Sequence, residues 1–281
     1  MSVPDLCSVS TARAVARRFG ISPRREMGQN FLIDHEVRDA IVASAGDAEL
    51  VLEIGPGLGA LTQGLLERGL GVVGVELDPR CVAALGLLAS HYPKLTVIEA
   101  DILQVTPDQL GLTAPTVLGN LPYQITGALL PHLLGWTPAA QACHLLVQRE
   151  VGRRLAAAQG DWSLATLALR AVAEVEIEFD VAPESFWPSP QVYSSLISVR
   201  PRQGADPLLA QELADLARPM FQARRKQLHH GLARSLGITP AEALAFLQSI
   251  NIDPVRRPGS LDLEEWRLLI SAVRDRSARI G

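Results

Sequence analysis

The stretch that decides the fold is LVLEIGPGLGALTQGLLERGLGVVGVELD, residues 50–78. A short apolar run at 50–54 ends in Gly55-Pro56-Gly57-Leu58-Gly59, and an apolar-periodic segment at 58–68 leads into a second apolar run at 71–76. This reads as strand, glycine turn, helix, strand. Glycines at such a turn let the backbone bend sharply and let a ligand approach the helix start without meeting side chains. Gly55, Gly57 and Ala60 satisfy the dinucleotide-binding fingerprint in its alanine variant. Glu76, closing the second strand in Val75-Glu76-Leu77-Asp78, is placed to bind the two hydroxyls of an adenosine ribose. That pattern serves NAD and S-adenosylmethionine alike.

The alternation continues outward. A helix is expected at 79–90, strands at 95–99 and 116–118, a helix at 127–134 and a strand at 144–147. Strands alternating with helices imply crossover units and a parallel sheet covered on both faces. Residues 171–179 alternate strictly, with Val172, Val175, Ile177 and Phe179 set between Glu174, Glu176 and Glu178, and 192–199 follows as another strand. This late pair suits the antiparallel edge often added to such sheets. Beyond Pro201 only helical periodicity remains, as in Leu208, Leu209, Leu213 and Leu216, and Thr239 reads as a cap before Pro240. The expected division is a basic arm over 1–27, an α/β domain over 28–201 and a helical domain over 202–281.

Of the 281 residues 48% are apolar and 20% charged, enough for a sizeable core and unlike a disordered chain. No apolar run approaches the roughly 20 residues a membrane span needs, and no apolar secretory stretch opens the chain. Cys7, Cys81 and Cys143 have neither zinc spacing nor a paired framework, so buried thiols in a reducing compartment are expected. The net charge of −4 argues against indiscriminate nucleic-acid binding by the whole surface. Yet of 26 basic residues only Lys94 and Lys226 are lysines. Arginine's planar fork suits phosphate. Arg13, Arg17, Arg18, Arg24 and Arg25 crowd the opening segment against Asp5 and Glu26, which fits a short basic arm on a bacterial protein better than an organellar transit peptide.

Two further strand ends distinguish the cofactors. Asp101 follows the third strand, where its carboxylate can accept from an adenine amine. Asn120-Leu121-Pro122-Tyr123 ends the fourth. Ligands of open α/β sheets bind beyond the carboxyl ends of the strands, so Gly55, Glu76, Asp101 and Asn120 are expected around one nucleoside-like ligand. The amide, proline and phenol suit one task in particular. An exocyclic adenine amine is a poor nucleophile because its lone pair is delocalised into the ring. Two oxygens holding its hydrogens, the Asn120 side-chain oxygen and the backbone carbonyl of Leu121, favour the pyramidal nitrogen that can attack a methyl donor. Pro122 stiffens the turn and Tyr123 offers a stacking face. Phe186, in the proline-fixed loop Phe186-Trp187-Pro188-Ser189-Pro190, is the candidate for the second face. No strong base is required.

These residues carry a resemblance. From residue 27 to the C-terminus the chain is similar to the ribosomal RNA adenine dimethyltransferase family, in particular its bacterial small-subunit members. The similarity rests on Gly28-Gln29-Asn30-Phe31-Leu32, residues 53–59 and 75–78, Asn120 to Tyr123, Gln148-Arg149-Glu150-Val151, the Phe186 loop and Phe221-Gln222-Ala223-Arg224-Arg225-Lys226. Ala100, Gln124, Gln191 and Tyr193 stand where that family commonly has Gly, Asn, Lys and Asp. The resemblance implies a Rossmann-like, seven-stranded S-adenosylmethionine-dependent methyltransferase sheet with a small all-helical C-terminal domain. It implies cofactor contacts at Gln29, Asn30, Leu32, Gly55, Gly57, Glu76, Asp101, Ile102 and Asn120, and no metal. It also implies dimethylation of two adjacent adenosines near the 3′ end of small-subunit rRNA in an immature 30S particle, by a cytoplasmic protein expected to be monomeric. Large-subunit rRNA as substrate, and an assembly factor whose binding matters more than its methylation, are the alternatives.

An RNA substrate gives meaning to three basic groups. They are Arg149, Arg153 and Arg154; Arg224, Arg225 and Lys226, extended by His229 and His230; and Arg256 with Arg257. Each can follow a phosphate backbone.

Overall fold

The computed structural model describes residues 4–23, 29–121, 125–223 and 225–280. In chain order the elements are α1 (Val9–Arg18), β1 (Phe31–Leu32), α2 (His35–Ala43), β2 (Leu50–Ile54), α3 (Ala60–Glu67), β3 (Gly71–Glu76), α4 (Pro79–Ala89), β4 (Leu95–Glu99), β5 (Thr116–Asn120) and α5 (Thr126–Leu134). They continue with β6 (Ala142–Gln148), α6 (Arg149–Leu155), α7 (Leu164–Val172), β7 (Ala173–Val181), β8 (Phe186–Trp187), β9 (Ser194–Pro201), α8 (Pro207–Gln222), α9 (Leu228–Leu236), α10 (Pro240–Ser249) and α11 (Leu263–Ile280). Among these elements no helix is long and apolar enough to cross a membrane.

Seven strands form one sheet in the order β4-β3-β2-β5-β6-β9-β7. The first five are parallel to their neighbours, and β9 runs antiparallel to β6. β2, β3, β5 and β6 are buried over most of their length, the pattern of strands covered on both faces. The strand order reverses between β2 and β5, which makes their carboxyl ends the ligand-binding crevice of such a sheet. β1 and β8 pair separately, Phe31 opposite Trp187 and Leu32 opposite Phe186.

The chain divides into two compact units, and the division differs from a cut at residue 201. Residues 153–174 belong with 202–281, while 175–201 belong with the first unit. The cause is apolar: Leu167 and Ala171 of α7 share a buried cluster with Leu213, Ala217, Leu232 and Trp266. Within the second unit Thr239 caps α10 as expected, its hydroxyl accepting from Glu242 N while the Glu242 carboxylate accepts from Thr239 N.

The opening segment is not a bare arm. Ser8 caps α1 by accepting from Thr11 N. At the other end Ile21 N donates to Ala16 O at 2.8 Å past Gly20, whose φ is +66°. This reverse turn closes a helix C-terminus with glycine. Ala12, Ala16 and Ile21 are buried with Phe31, Leu58 and Cys81.

Candidate active site

The glycine turn is shaped by what lies against it. Gly55, Gly57 and Gly59 all hold positive φ, and a Cβ on Gly57 would come within 3.0 Å of the Phe31 ring. Gly119 answers a different constraint: it pairs with Ile54 across β2 and β5, where a Cβ would lie 2.9 Å from the Ile54 carbonyl oxygen. Only glycine lets the two strands carry their loops this close together.

Between these strand ends opens a cleft of about 460 Å³, walled by the glycine turn, the Gln29–Leu32 segment, Glu53, Glu76 and Asn120. Glu76 is 8% exposed. Its carboxylate accepts from Gly57 N and Asp78 N, both at 2.9 Å, which fixes its direction at the end of β3. Burial nevertheless pushes its pKa above the usual carboxylate range, against those two N–H groups. Asp78 is held below its ordinary value, first by Arg80 and also by the Gln29 side chain. Arg80 pairs with Asp78 at 2.6 Å and donates to Gly20 O.

Asn120 shows the geometry most relevant to chemistry. Its Nδ2 donates to the Asn30 carbonyl at 2.8 Å. The amide is thereby fixed one way round, and Oδ1 is left as an acceptor with no hydrogen bond among the described residues. Leu121 is buried and donates its N–H to Leu146 O at 3.4 Å, which anchors the start of the turn to β6. Pro122, Tyr123 and Gln124 lie outside the described residues.

The expected cofactor residues divide by position. Gln29, Asn30, Leu32, Gly55, Gly57, Glu76 and Asn120 line the cleft. Asp101 and Ile102 are not among its walls: the Asp101 carboxylate accepts from Leu103 N at 2.9 Å to cap a short 3-10 turn, and Ile102 is buried. Phe186 is 2% exposed and packed in the core with Leu32, Val181 and Leu196, so it is not an open stacking platform.

Glu53 is the residue that sequence reading passed over. It is an acid inside a buried strand, 2% exposed, and its Oε2 has no hydrogen-bond partner. Burial drives its pKa up to about 8, with the Glu76 charge adding to the shift. The signal was a charged residue within an otherwise apolar run. The cysteines are all buried, and burial lifts each thiol to about 12, out of nucleophilic range.

The basic groups separate too. Arg153, Arg154, Arg225 and Lys226 are exposed, and Arg224 lies outside the described residues. Arg149 holds its guanidinium 4.4 Å from the centre of the Tyr193 ring. His229 does not extend the second group: it is buried with Nδ1 on Pro254 O. Arg256 is engaged by both carboxylate oxygens of Glu265 and by Ser260 O, which leaves Arg257 as the exposed member of its pair.

Fold and site together define a Rossmann-like methyltransferase built to hold a nucleoside-type ligand at the strand switch point. The chain belongs to the ribosomal RNA adenine dimethylase family, whose model matches residues 21–270. It is 35% identical to the ribosomal RNA small subunit methyltransferase A of Dehalococcoides mccartyi strain CBDB1, over 95% of this chain and 94% of that one. It is 36% identical to the protein of the same name from Brucella abortus, over 94% and 98%. Among solved structures, the 23S rRNA methyltransferase ErmE superposes with a TM-score of 0.69 at 25% identity, over 87% of this chain and all of that one. A dimethyladenosine transferase from Plasmodium falciparum shares the fold, with a TM-score of 0.75 over 88% of this chain and 98% of that one, at 23% identity. The chain is therefore an rRNA adenine methyltransferase, and its dependence on S-adenosylmethionine follows from the family.

The cleft fits that cofactor. Glu76 offers a fixed carboxylate for ribose hydroxyls, Gly57 keeps the turn against Phe31 where a Cβ would collide, and the unpartnered Glu53 oxygen is a buried polar atom in the same wall.

Proposed function

We propose that this protein dimethylates the N6 amines of two adjacent adenosines near the 3′ end of small-subunit rRNA, within an immature 30S particle. It acts in the cytoplasm as a monomer and without a metal. Membership of the adenine dimethylase family supports the reaction, and the name shared by the curated relatives supports the small subunit over the large. The observation that carries the reading is the Asn120 amide, fixed by Asn30 O so that its oxygen remains to accept.

S-adenosylmethionine supplies an electrophilic methyl group when bound; the chain's own residues supply everything else. Glu76 holds the ribose hydroxyls, and the glycine turn admits the ligand's backbone-facing edge. Asn120 Oδ1 and the Leu121 carbonyl accept the two amine hydrogens, which draws the nitrogen lone pair out of the ring and toward the donor. The Asn120 amide is already held by the Asn30 carbonyl, which supports a reaction with little reorganisation of that acceptor. The proton shed after transfer passes to water. Tyr123 stacks on the base and Pro122 stiffens the turn, while Phe186, buried with Leu32, supports the cleft wall from the core side. Asp101, at the neighbouring strand end, takes the cofactor's adenine amine beside Ile102, while Gln29, Asn30 and Leu32 close the near side. Arg149, Arg153, Arg154, Arg224, Arg225 and Lys226 take phosphates.

The test is Asn120→Ala in cells lacking the native gene copy, read by mass spectrometry of small-subunit rRNA. Methylation of purified particles should fall about 10²- to 10³-fold, the usual cost of removing one preorganised group that stabilises a transition state. Cofactor affinity, to which Asn120 also contributes as a cleft wall, should fall much less than methylation does. Retained dimethyladenosine would overturn the reading.

A further inference from the structure

We infer that the groove between α1 and Trp187 binds the phosphate backbone of the RNA segment flanking the target adenosine; this rests on the substrate reading above. The groove measures about 470 Å³ and is lined by Arg13, Arg17, Ser22 and Trp187, with no carboxylate among the described residues of its wall. Arg13 and Arg17 stand four residues apart on one exposed helix face. Like charges at that spacing oppose each other and cost helix stability. Among the described residues no acid pairs with either, and the first turn of α1 carries none. The helix dipole favours Arg17 and Arg18 in the last turn but does nothing for Arg13, one turn earlier. A repulsive, unpaired arrangement of this kind becomes favourable when an anion lies between its members.

The groove also sits where such an anion would arrive. Trp187 contacts both Arg13, whose guanidinium carbon is 5.8 Å from the ring centre, and Phe31, at 6.1 Å between ring centres. Phe31 is itself a wall of the cofactor cleft. Arg80 joins the two sites a second time, donating to Gly20 O on the groove side and pairing with Asp78 on the cleft side. One layer of side chains therefore separates groove from cleft. A strand that places one adenine at Asn120 carries neighbouring phosphates that need cationic partners on the adjoining surface. Trp187 holds the Arg13 guanidinium in place, so less side-chain freedom is lost on binding.

The experiment compares Arg13→Ala/Arg17→Ala with Arg18→Ala in the full-length protein. Arg18 lies against Phe19 and outside the groove wall, and serves as the neighbouring cation control. Particle affinity is measured across a salt series, with cofactor affinity and melting temperature alongside. For two contacts to a single strand, the log–log salt slope of the double variant should shrink by about 1.4. Its affinity should fall about tenfold or more at moderate salt, with cofactor affinity unchanged and the melting temperature unchanged or slightly raised as the repulsion is removed. Arg18→Ala should move the slope little. An unchanged slope in the double variant, or an equal loss in Arg18→Ala, would overturn the groove assignment. Failure of the wild-type protein to methylate particles would instead defeat the substrate reading, so the two failures are distinguishable.

Discussion

The cofactor cleft and the helical second unit use polar residues in opposite ways. In the cleft the acids are buried, the amide of Asn120 is half-buried, and each is individually placed: Glu76 by two backbone N–H groups, Asn120 by the Asn30 carbonyl, Glu53 left with one oxygen unpartnered. In the second unit the interior is apolar around Trp266, Leu232 and Leu247, and the cations Arg225 and Lys226 stand at its exposed surface. The first arrangement fixes chemistry at a point and tolerates few substitutions. The second provides a stable support for a surface charge, where position matters more than orientation.

Three experiments sharpen or break that contrast. The largest effect is expected from Trp266→Ala, since the side chain is wholly buried against Phe221 at the centre of the helical unit. Loss of about 3–5 kcal/mol is expected from such a truncation. It should appear as a lowered denaturant midpoint for the second unit, while cofactor binding to the first persists in mild conditions. Simultaneous loss of both would show that the units do not behave separately.

Next comes Glu53→Gln. The native carboxyl titrates near 8 while an unfolded one titrates in the ordinary range, so between those values the native state holds a proton that the unfolded chain has released. The stability this gives is present in full below the ordinary range and is lost as pH rises toward 8. The cofactor-free wild type should thus lose stability from pH 5 to pH 8, by an amount on the order of a few kcal/mol. The glutamine variant should lose less. Parallel melting curves for the two proteins across that range would refute the buried-carboxyl account.

The smallest change is expected from Arg225→Ala/Lys226→Ala. Both side chains are exposed, so thermal stability should stay within about 0.5 kcal/mol. Particle affinity should drop and its salt slope should shrink by about 1.4 if two single-strand phosphates are released. Salt dependence identical to wild type would remove this surface from the RNA path.

Much of the cleft was legible because its chemistry dictates residue types. Glycine at 55 and 57, an acid at 76 and an amide at 120 each answer a constraint that few other residues meet. The alternation of strands and helices also anticipated a mixed sheet of seven strands, since buried parallel strands leave continuous apolar runs. What escaped was whatever depended on weaker or more distant signals. Helix α1 read as a charged arm because its buried face consists of Ala12 and Ala16, which contribute little hydrophobic contrast beside three arginines. The placement of 153–174 with the C-terminal unit depends on Leu167 and Ala171 meeting residues some 45 to 100 positions later, and no local pattern reveals that. His229 read as part of a basic run because its neighbours are cationic, yet the helical period carries it inward beside Leu228 and Leu232.

The interleaving of the two units has a practical outcome for anyone wishing to exchange their parts. A cut after residue 201 would strip α7 of the partners for Leu167 and Ala171 and leave a greasy strip on the remaining protein. Grafting the helical module onto another catalytic body therefore requires moving two pieces of chain together, through three junctions. Lineages that diversified their RNA targets by shuffling modules would face the same obstacle, and altering side chains on a fixed scaffold would be the easier path.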